Sequence, residues 1–495
     1  MRTVASICLS STVGRWVDRS PNRLKTLQTT ISVNRLTVIA ASVLWFFIVD
    51  ASQDQHHDPT TQSPRSNIFD LEASAALKAG LFVIILALGI FENQSASGNM
   101  LSMERDWVVI VADRDGMPYD LTHLNSSMRR IDLICKLVAP ILISLIVSAT
   151  STRIGVLAVG GMSLASWGVE VFCARRVWTR NAKLRAPKPV PEQEQEAVAT
   201  DAPRPSFAAK ILAGLMQYWK GFEIYFSSPA WIPSLSLALL HLSALSYGAT
   251  FITYLLSVGI SLSAITMARA AGSIVEISST VVTPIGVSIL GKAINHGKYR
   301  GLERANEESA TALLDGEAVQ QEGSTETGLQ RLGLWGLSWQ LFNLVRPFPS
   351  PSHQHTNKTQ VPVVYALYSF SPTPLANIIP SPLITTVVLF TFLSLSRLGL
   401  WVFDLTTQQL TQTLTIPSQR SSFAGVEYSF VALFELLQHV CTIILHRPDQ
   451  FRWLAAGSCC AVAVSSVAYS GWVRGRRGHL VHWERCVGCG KGERG

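Results

Sequence analysis

Charge is scarce in this 495-residue chain: Asp, Glu, Lys and Arg together make up 15% of it, against about a quarter in soluble domains. The charged-apolar-small order of a cleavable signal peptide is also missing; targeting is left to the first membrane helix itself. The eight cysteines form no secreted framework. Cys135, Cys173, Cys441, Cys459 and Cys460 lie in or beside apolar blocks, where a small hydrophobe is the usual role. Cys486 and Cys489 have ligand spacing but no second pair, so they make a weak zinc signal. Outside the apolar blocks there is no nucleophile, phosphate loop or metal-ligand cluster, and an enzyme is not expected. The net charge of +8 sits mostly in loops, where it sets topology and does not imply a nucleic-acid partner.

What the chain has is apolar sequence in blocks long enough to cross a hydrocarbon core, which takes about 20 residues as a helix. The blocks are Ile31–Val49, Ala79–Met103, Ile131–Ala149, Ile154–Phe172, Trp231–Leu256, Leu262–Leu290, a weaker segment from Leu332, then Leu383–Phe403, Phe423–Leu445 and Trp453–Trp472. The expected fold is all-α and polytopic, embedded in a lipid bilayer. Basic residues between the blocks set the orientation. Gly14–Lys25, the segment after the fourth block, the segment after Leu290 and the tail are rich in Arg and Lys, whereas Asp50–Asp70 has four aspartates and one arginine. Alternating sides puts every basic segment in the cytoplasm and the acidic one outside.

The segment Arg180–Ser206, rich in Pro, Glu, Lys and Ala, is expected to be a disordered linker between two halves, and Glu303–Thr327 is expected to be a polar loop. Residues 1–176 then hold about four spans and 229–472 about six, joined by a cytoplasmic linker at 177–228 and followed by a basic tail at 473–495. Leu332–Leu344 and Val361–Phe370 are each too short to span, and the polar stretch Val345–Gln360 between them could not face lipid. Removing it fuses the flanks into one spanning helix, so the stretch reads as a retained intron; a real loop between two half-helices is the alternative.

Ionisable residues inside membrane helices are costly and default to functional candidates. Arg269 and Glu276 are seven residues apart, as are Arg397 and Asp404, and each pair reads as a charge pair that stabilises packing. Glu427, Glu435, Gln438 and His439 fall near one face of a single helix. A carboxylate and an imidazole one turn apart, Glu435 and His439, could both face a first-row divalent ion or merely line a polar cavity. His241 and Glu170 are further candidates.

Gly14-Arg15-Trp16-Val17-Asp18-Arg19 through Lys25 resembles the cytoplasmic loop motif of major facilitator transporters, in which Gly permits a tight turn and Asp and Arg make conformation-dependent contacts. Glu104-Arg105-Asp106-Trp107, Leu124-Asn125 with Arg129-Arg130-Ile131-Asp132, and Arg397-Leu398-Gly399-Leu400-Trp401 with Asp404 extend the likeness. In this order and spacing they resemble the ferroportin family, from Gly14 to about Trp472. The resemblance implies a major-facilitator-type two-lobe helix bundle that lacks its first one to two helices. It implies export of divalent metal, ferrous iron first, by alternating access, with the ion as substrate and no cofactor. The alternatives are another substrate on the same fold, or a truncated non-transporting product. The membrane would be the plasma membrane or a vacuolar or endosomal one; protein partners cannot be read.

By resemblance Asp18, Arg23, Asp106 and Arg420 form a cytoplasmic gate, joined by Arg130 and Asp132. Glu170 matches a family carboxylate, and Asn34 and Arg35 fall where animal members have two amides. The animal cysteine position is Ala249 and the histidine position is Gln438, with His439 beside it. The candidate metal ligands are therefore Glu170, Glu435, His439, Asn34 and Asp404.

Overall fold

The computed structural model describes residues 1–53, 68–112, 121–188, 207–292, 310–345 and 382–477, and among them every regular element is a helix. Lipid offers no hydrogen bonds, so a spanning backbone must satisfy its own polar groups. Among the described residues eight segments are long and apolar enough to span: Arg23–Ile48, Leu77–Val111, Leu121–Ala149, Thr152–Arg180, Leu262–Gly291, Thr386–Leu414, Pro417–Ile444 and Pro448–Arg477. In chain order the helices are α1 (Arg2–Arg19), α2 (Arg23–Gln53), α3 (Ile68–Met100), a π-helical stretch (Leu101–Trp107), α4 (Val108–Val111), α5 (Leu121–Ala149), α6 (Thr152–Arg180), α7 (Ala182–Arg185), α8 (Phe207–Ser227), α9 (Trp231–Leu240), α10 (Ala249–Ser257), α11 (Leu262–Lys292), α12 (Ala310–Val345), α13 (Pro382–Leu414), α14 (Arg420–Ile444) and α15 (Phe451–Arg477).

The chain divides into two compact units. One comprises Met1–Leu124, Ile134–Ser228 and Thr415–Leu433; the other comprises Asn125–Leu133, Pro229–Leu414 and Phe434–Gly495. In the first unit Leu24, Leu27, Ile31, Trp107, Ala174 and Leu184 form an apolar cluster. The core of the second gathers Leu237, Phe251, Leu337, Phe403, Tyr469 and their neighbours.

Four expectations need correction. Gly14 sits inside α1 and makes no turn. A Cβ there would lie 2.1 Å from the Ser421 carbonyl oxygen, and one on Gly425 would lie 2.5 Å from that of Ser10. The two glycines let α1 and α14 cross backbone to backbone, the usual task of small residues between membrane helices. Gly336 of α12 and Gly399 of α13 repeat the device in the second unit.

The block Trp231–Leu256 is not one helix. It breaks after Leu240 and resumes at Ala249. The freed backbone groups find partners: Ala244 N–H donates to Ser458 Oγ at 2.9 Å, and Leu245 N–H to Ser243 Oγ at 3.3 Å. A break inside a membrane protein is tolerated on those terms.

Within Glu303–Thr327 the chain is helical from Ala310 onward, because α12 begins there and carries the Leu332 segment. Within Arg180–Ser206 the chain is ordered through Lys188: Asn181 Oδ1 caps α7 by accepting from Lys183 N–H and Leu184 N–H, and Lys188 is anchored as described below. Val345–Gln360 lies outside the described residues except for Val345, the last residue of α12.

Candidate functional site

In the first unit the gate candidates make two contacts, Asp18 with the start of α14 and Asp106 with Arg23. Asp18, near the end of α1, faces the start of α14. Its Oδ1 accepts from Ser421 N–H at 3.1 Å, and its Oδ2 accepts from Ser422 N–H at 2.6 Å and Ser422 Oγ–H at 2.7 Å. A carboxylate at a helix N-terminus meets unpaired N–H groups and the positive end of the dipole. Burial nevertheless dominates and pushes the Asp18 carboxyl up to about 6, with the Ser422 and Ser421 donors working in the opposite direction. Arg420, the first residue of α14, adjoins this contact in sequence.

Asp106 lies in the π-helical stretch. Arg23 Nε reaches its Oδ1 at 3.0 Å and Lys188 Nζ reaches its Oδ2 at 2.7 Å. Lys188 also donates to the Val17 carbonyl at 2.8 Å, and Arg23 donates to the Ala186 carbonyl. The neighbouring Arg105 points elsewhere, to Glu427 of α14 at 3.1 Å, with both side chains almost fully buried. The wider π turn, which interrupts the α-helical ladder, accompanies this divergence of two consecutive side chains.

In the second unit Arg130 and Asp132 belong to a different network. Arg130 Nε donates to Thr280 Oγ1 at 3.0 Å. Arg129 Nη1 lies 3.7 Å from Asp132, and Arg129 Nη2 lies 2.7 Å from Asp404. Arg397 pairs with Glu276 at 2.9 Å. The expected pairs Arg269–Glu276 and Arg397–Asp404 are thus replaced by pairs between helices. Seven residues of helix rise about 10 Å, too far for direct contact along one helix. Trp401 ties the two pairs together: the Arg129 and Arg397 guanidinium carbons lie 5.3 Å and 5.8 Å from its ring centre, within cation–π range.

The metal candidates do not converge. Both Glu170 oxygens accept from Arg35, the Nε contact at 3.1 Å, and Asn34 Nδ2 donates to the Glu92 carbonyl at 3.1 Å. Asp404 is held by Arg129. Glu435 pairs with His241, at the break between α9 and α10: Nδ1 to Oε1 is 3.3 Å, with the side chains 41% and 47% exposed. His439 is exposed and makes no recorded ion pair with Glu435. Four residues overshoot one turn by about 40°, which lets the two side chains diverge. Glu427 is drawn instead into the first unit by Arg105. Among the described residues no three His, Cys, Asp or Glu side chains gather to hold an ion.

The family profile described as Ferroportin1 (FPN1) matches residues 1–297 and 308–462. The chain belongs to the ferroportin family. Human ferroportin is 23% identical over 94% of this chain and 82% of its own length. Solute carrier family 40 member 1 of rice (Oryza sativa subsp. japonica) is 27% identical over 83% and 74%. A bacterial homologue of the iron transporter ferroportin, solved in an outward-facing state with soaked iron, superposes with a TM-score of 0.64 at 20% identity, covering 95% of this chain and 87% of that one; that likeness shows the fold, an all-α helix bundle. As a ferroportin-family member the chain is a multi-pass membrane transporter and not an enzyme.

Sequence reasoning missed several parts of this ferroportin-type arrangement. The motif that contains Arg129 gives it no partner. Lys188 reads as one more linker charge, and nothing in sequence spacing joins it to Asp106. His241 stands alone in sequence, because its partner is 194 positions away and the helix break that presents it lies in a block that reads as continuous helix.

Proposed function

We propose that the chain exports a divalent metal ion, ferrous iron first, by alternating access, with the ion as cargo and no resident cofactor. The observation that carries the site assignment is the His241–Glu435 pair, an imidazole and a carboxylate beside an unwound segment, with no arginine on the carboxylate among the described residues. A carboxylate 3.3 Å from Nδ1 favours the tautomer that carries its proton there and leaves Nε2 as the lone-pair donor. Imidazole and carboxylate suit a first-row divalent ion, and carbonyls of a broken helix supply further oxygen ligands in transporters. Two side-chain ligands make a weak site, as release of cargo requires.

Glu170, Asp404, Asn34 and His439 remain proposed participants. Glu170 and Asp404 would first have to exchange their arginines for the ion. Asp18, Arg23, Asp106, Arg420, Arg130 and Asp132 are proposed to gate the cytoplasmic side by separating in one of two states. The membrane is proposed to be the plasma membrane or a vacuolar or endosomal one.

Cells loaded with radioactive iron or cobalt and expressing the chain should lose the metal faster than controls, and His241→Ala and Glu435→Ala should each slow that efflux at equal surface expression. A chain that reaches the membrane and exports neither metal overturns the function. Efflux indifferent to both substitutions overturns the site alone.

A further inference from the structure

Helix α8 (Phe207–Ser227) is 21 residues long, and its sequence carries Lys210, Lys220 and Glu223, more charge than a lipid-spanning stretch of that length usually holds. From Gln217 to Tyr225 one face packs on the first unit. Tyr218 Oη–H donates to the Ile7 carbonyl at 3.0 Å, and the Gln217 carbonyl accepts from Arg15. Gly221 is so close to α1 that a Cβ would lie 2.8 Å from Ser11 Oγ and 3.1 Å from Arg15 Nη1. Tyr225, completely buried, stacks on Phe423 of α14 at 4.7 Å, and Phe222 meets Phe430 edge-on at 5.7 Å.

The other face is exposed. Trp219 is 75% exposed and Met216 is 59% exposed. They stand three residues apart, on one side of the helix. Lys220, next to Trp219, is exposed, and so is Glu223. Arg19 and Lys25, at the turn between α1 and α2, are exposed on the same basic, cytoplasmic side of the topology. A large indole beside an ammonium group is poorly placed in water and well placed at a membrane interface, where tryptophan rests at headgroup depth and basic residues meet anionic headgroups. A 21-residue helix with one aromatic face and charges beside it has the character of an in-plane interfacial helix.

We infer that α8 lies on the cytoplasmic leaflet, with Met216 and Trp219 in the headgroup zone and Lys220 paired with anionic phospholipid. The ligand chemistry is a phosphodiester headgroup above acyl chain, held by an indole and an ammonium group. The inner face of the same helix grips α1 and α14, the two helices joined by Asp18. Lipid contact on the outside therefore bears on the charge contact inside. This inference needs the chain to be in a membrane but does not depend on which ion it carries.

The test uses the full chain in nanodiscs of phosphatidylcholine, with and without phosphatidylglycerol, comparing wild type with Trp219→Phe so that the difference spectrum isolates one indole. That difference fluorescence should be quenched by phosphatidylcholine brominated near the top of its acyl chains and spared by aqueous iodide. Adding phosphatidylglycerol should deepen the lipid quenching in wild type and not in Lys220→Glu. Quenching by iodide would show an indole in water and overturn the inference; protection from both quenchers would show a protein cover and overturn it equally. Lipid quenching indifferent to phosphatidylglycerol would overturn the anionic-headgroup assignment.

Discussion

Truncating Glu427 to alanine removes the carboxylate that faces the Arg105 guanidinium, in a site where only 3% of that side chain meets solvent. At 3.1 Å and an effective dielectric of about 20, the attraction between the two charges amounts to about 5 kcal/mol. Desolvation offsets much of it, so the intact pair is worth far less than that figure. Breaking a buried pair from one side is different, because the remaining charge keeps its desolvation cost and loses this attraction; the usual penalty is about 3–5 kcal/mol. Glu427→Ala and Arg105→Ala are each expected to lose stability in that range. Arg105→Met combined with Glu427→Met, which removes both charges and keeps volume, is expected to recover most of the loss. The measurement is the apparent melting midpoint of purified protein, followed by loss of the monodisperse chromatographic peak across a double-mutant cycle. Heating is irreversible for many proteins of this size, so the ordering of the four proteins decides the matter. A double variant that loses the sum of the two single losses would refute the reasoning, because it would show that the charges do not depend on each other.

Gly14→Leu and Gly425→Leu should each abolish the α1–α14 crossing and sharply reduce the yield of folded protein, whereas Gly161→Ala, with open space around its Cβ position, should be tolerated; equal yields would refute this. Burial raises the Asp18 carboxyl to about 6 from 3.8, so the packed state holds the proton more tightly than the exposed chain. Stability should therefore rise as pH falls through 6 toward 4 and lose that increment above 6, and wild type should gain more than Asp18→Asn in melting midpoints taken at pH 7.5 and 5.5. Arg129→Ala leaves Asp404 without its guanidinium at 2.7 Å and should destabilise more than Arg130→Ala, whose recorded bonds go to a neutral threonine; the reverse ranking would contradict the assignment.

Much of the architecture was legible because the bilayer imposes a coarse code. Trp453–Trp472 falls inside a spanning segment, and Leu383–Phe403 and Phe423–Leu445 fall inside theirs apart from a few terminal residues, since a helix satisfies its own backbone polar groups in lipid. The exceptions share a cause. Trp231–Leu256 is apolar throughout, yet it breaks where Ser243 and Ser458 stand ready to take the freed backbone donors, and one of those serines lies far off in sequence. Ala310–Thr327 reads as loop by polarity and is helix, continuous with the packed segment that follows.

The site divided along the same line. Membership of the ferroportin family, the membrane setting and the identity of the charged residues belong to the sequence alone, because hydropathy, loop charge and local motifs are properties of neighbouring residues. Partner choice belongs to the tertiary structure. Asp404 met Arg129 and not Arg397, Glu435 met His241 and not His439, and Gly14 served a helix crossing and not a turn. A charge buried in a low-dielectric interior takes the nearest opposite charge in space, and which one is nearest depends on how helices cross, where one of them breaks and which glycines let two backbones touch.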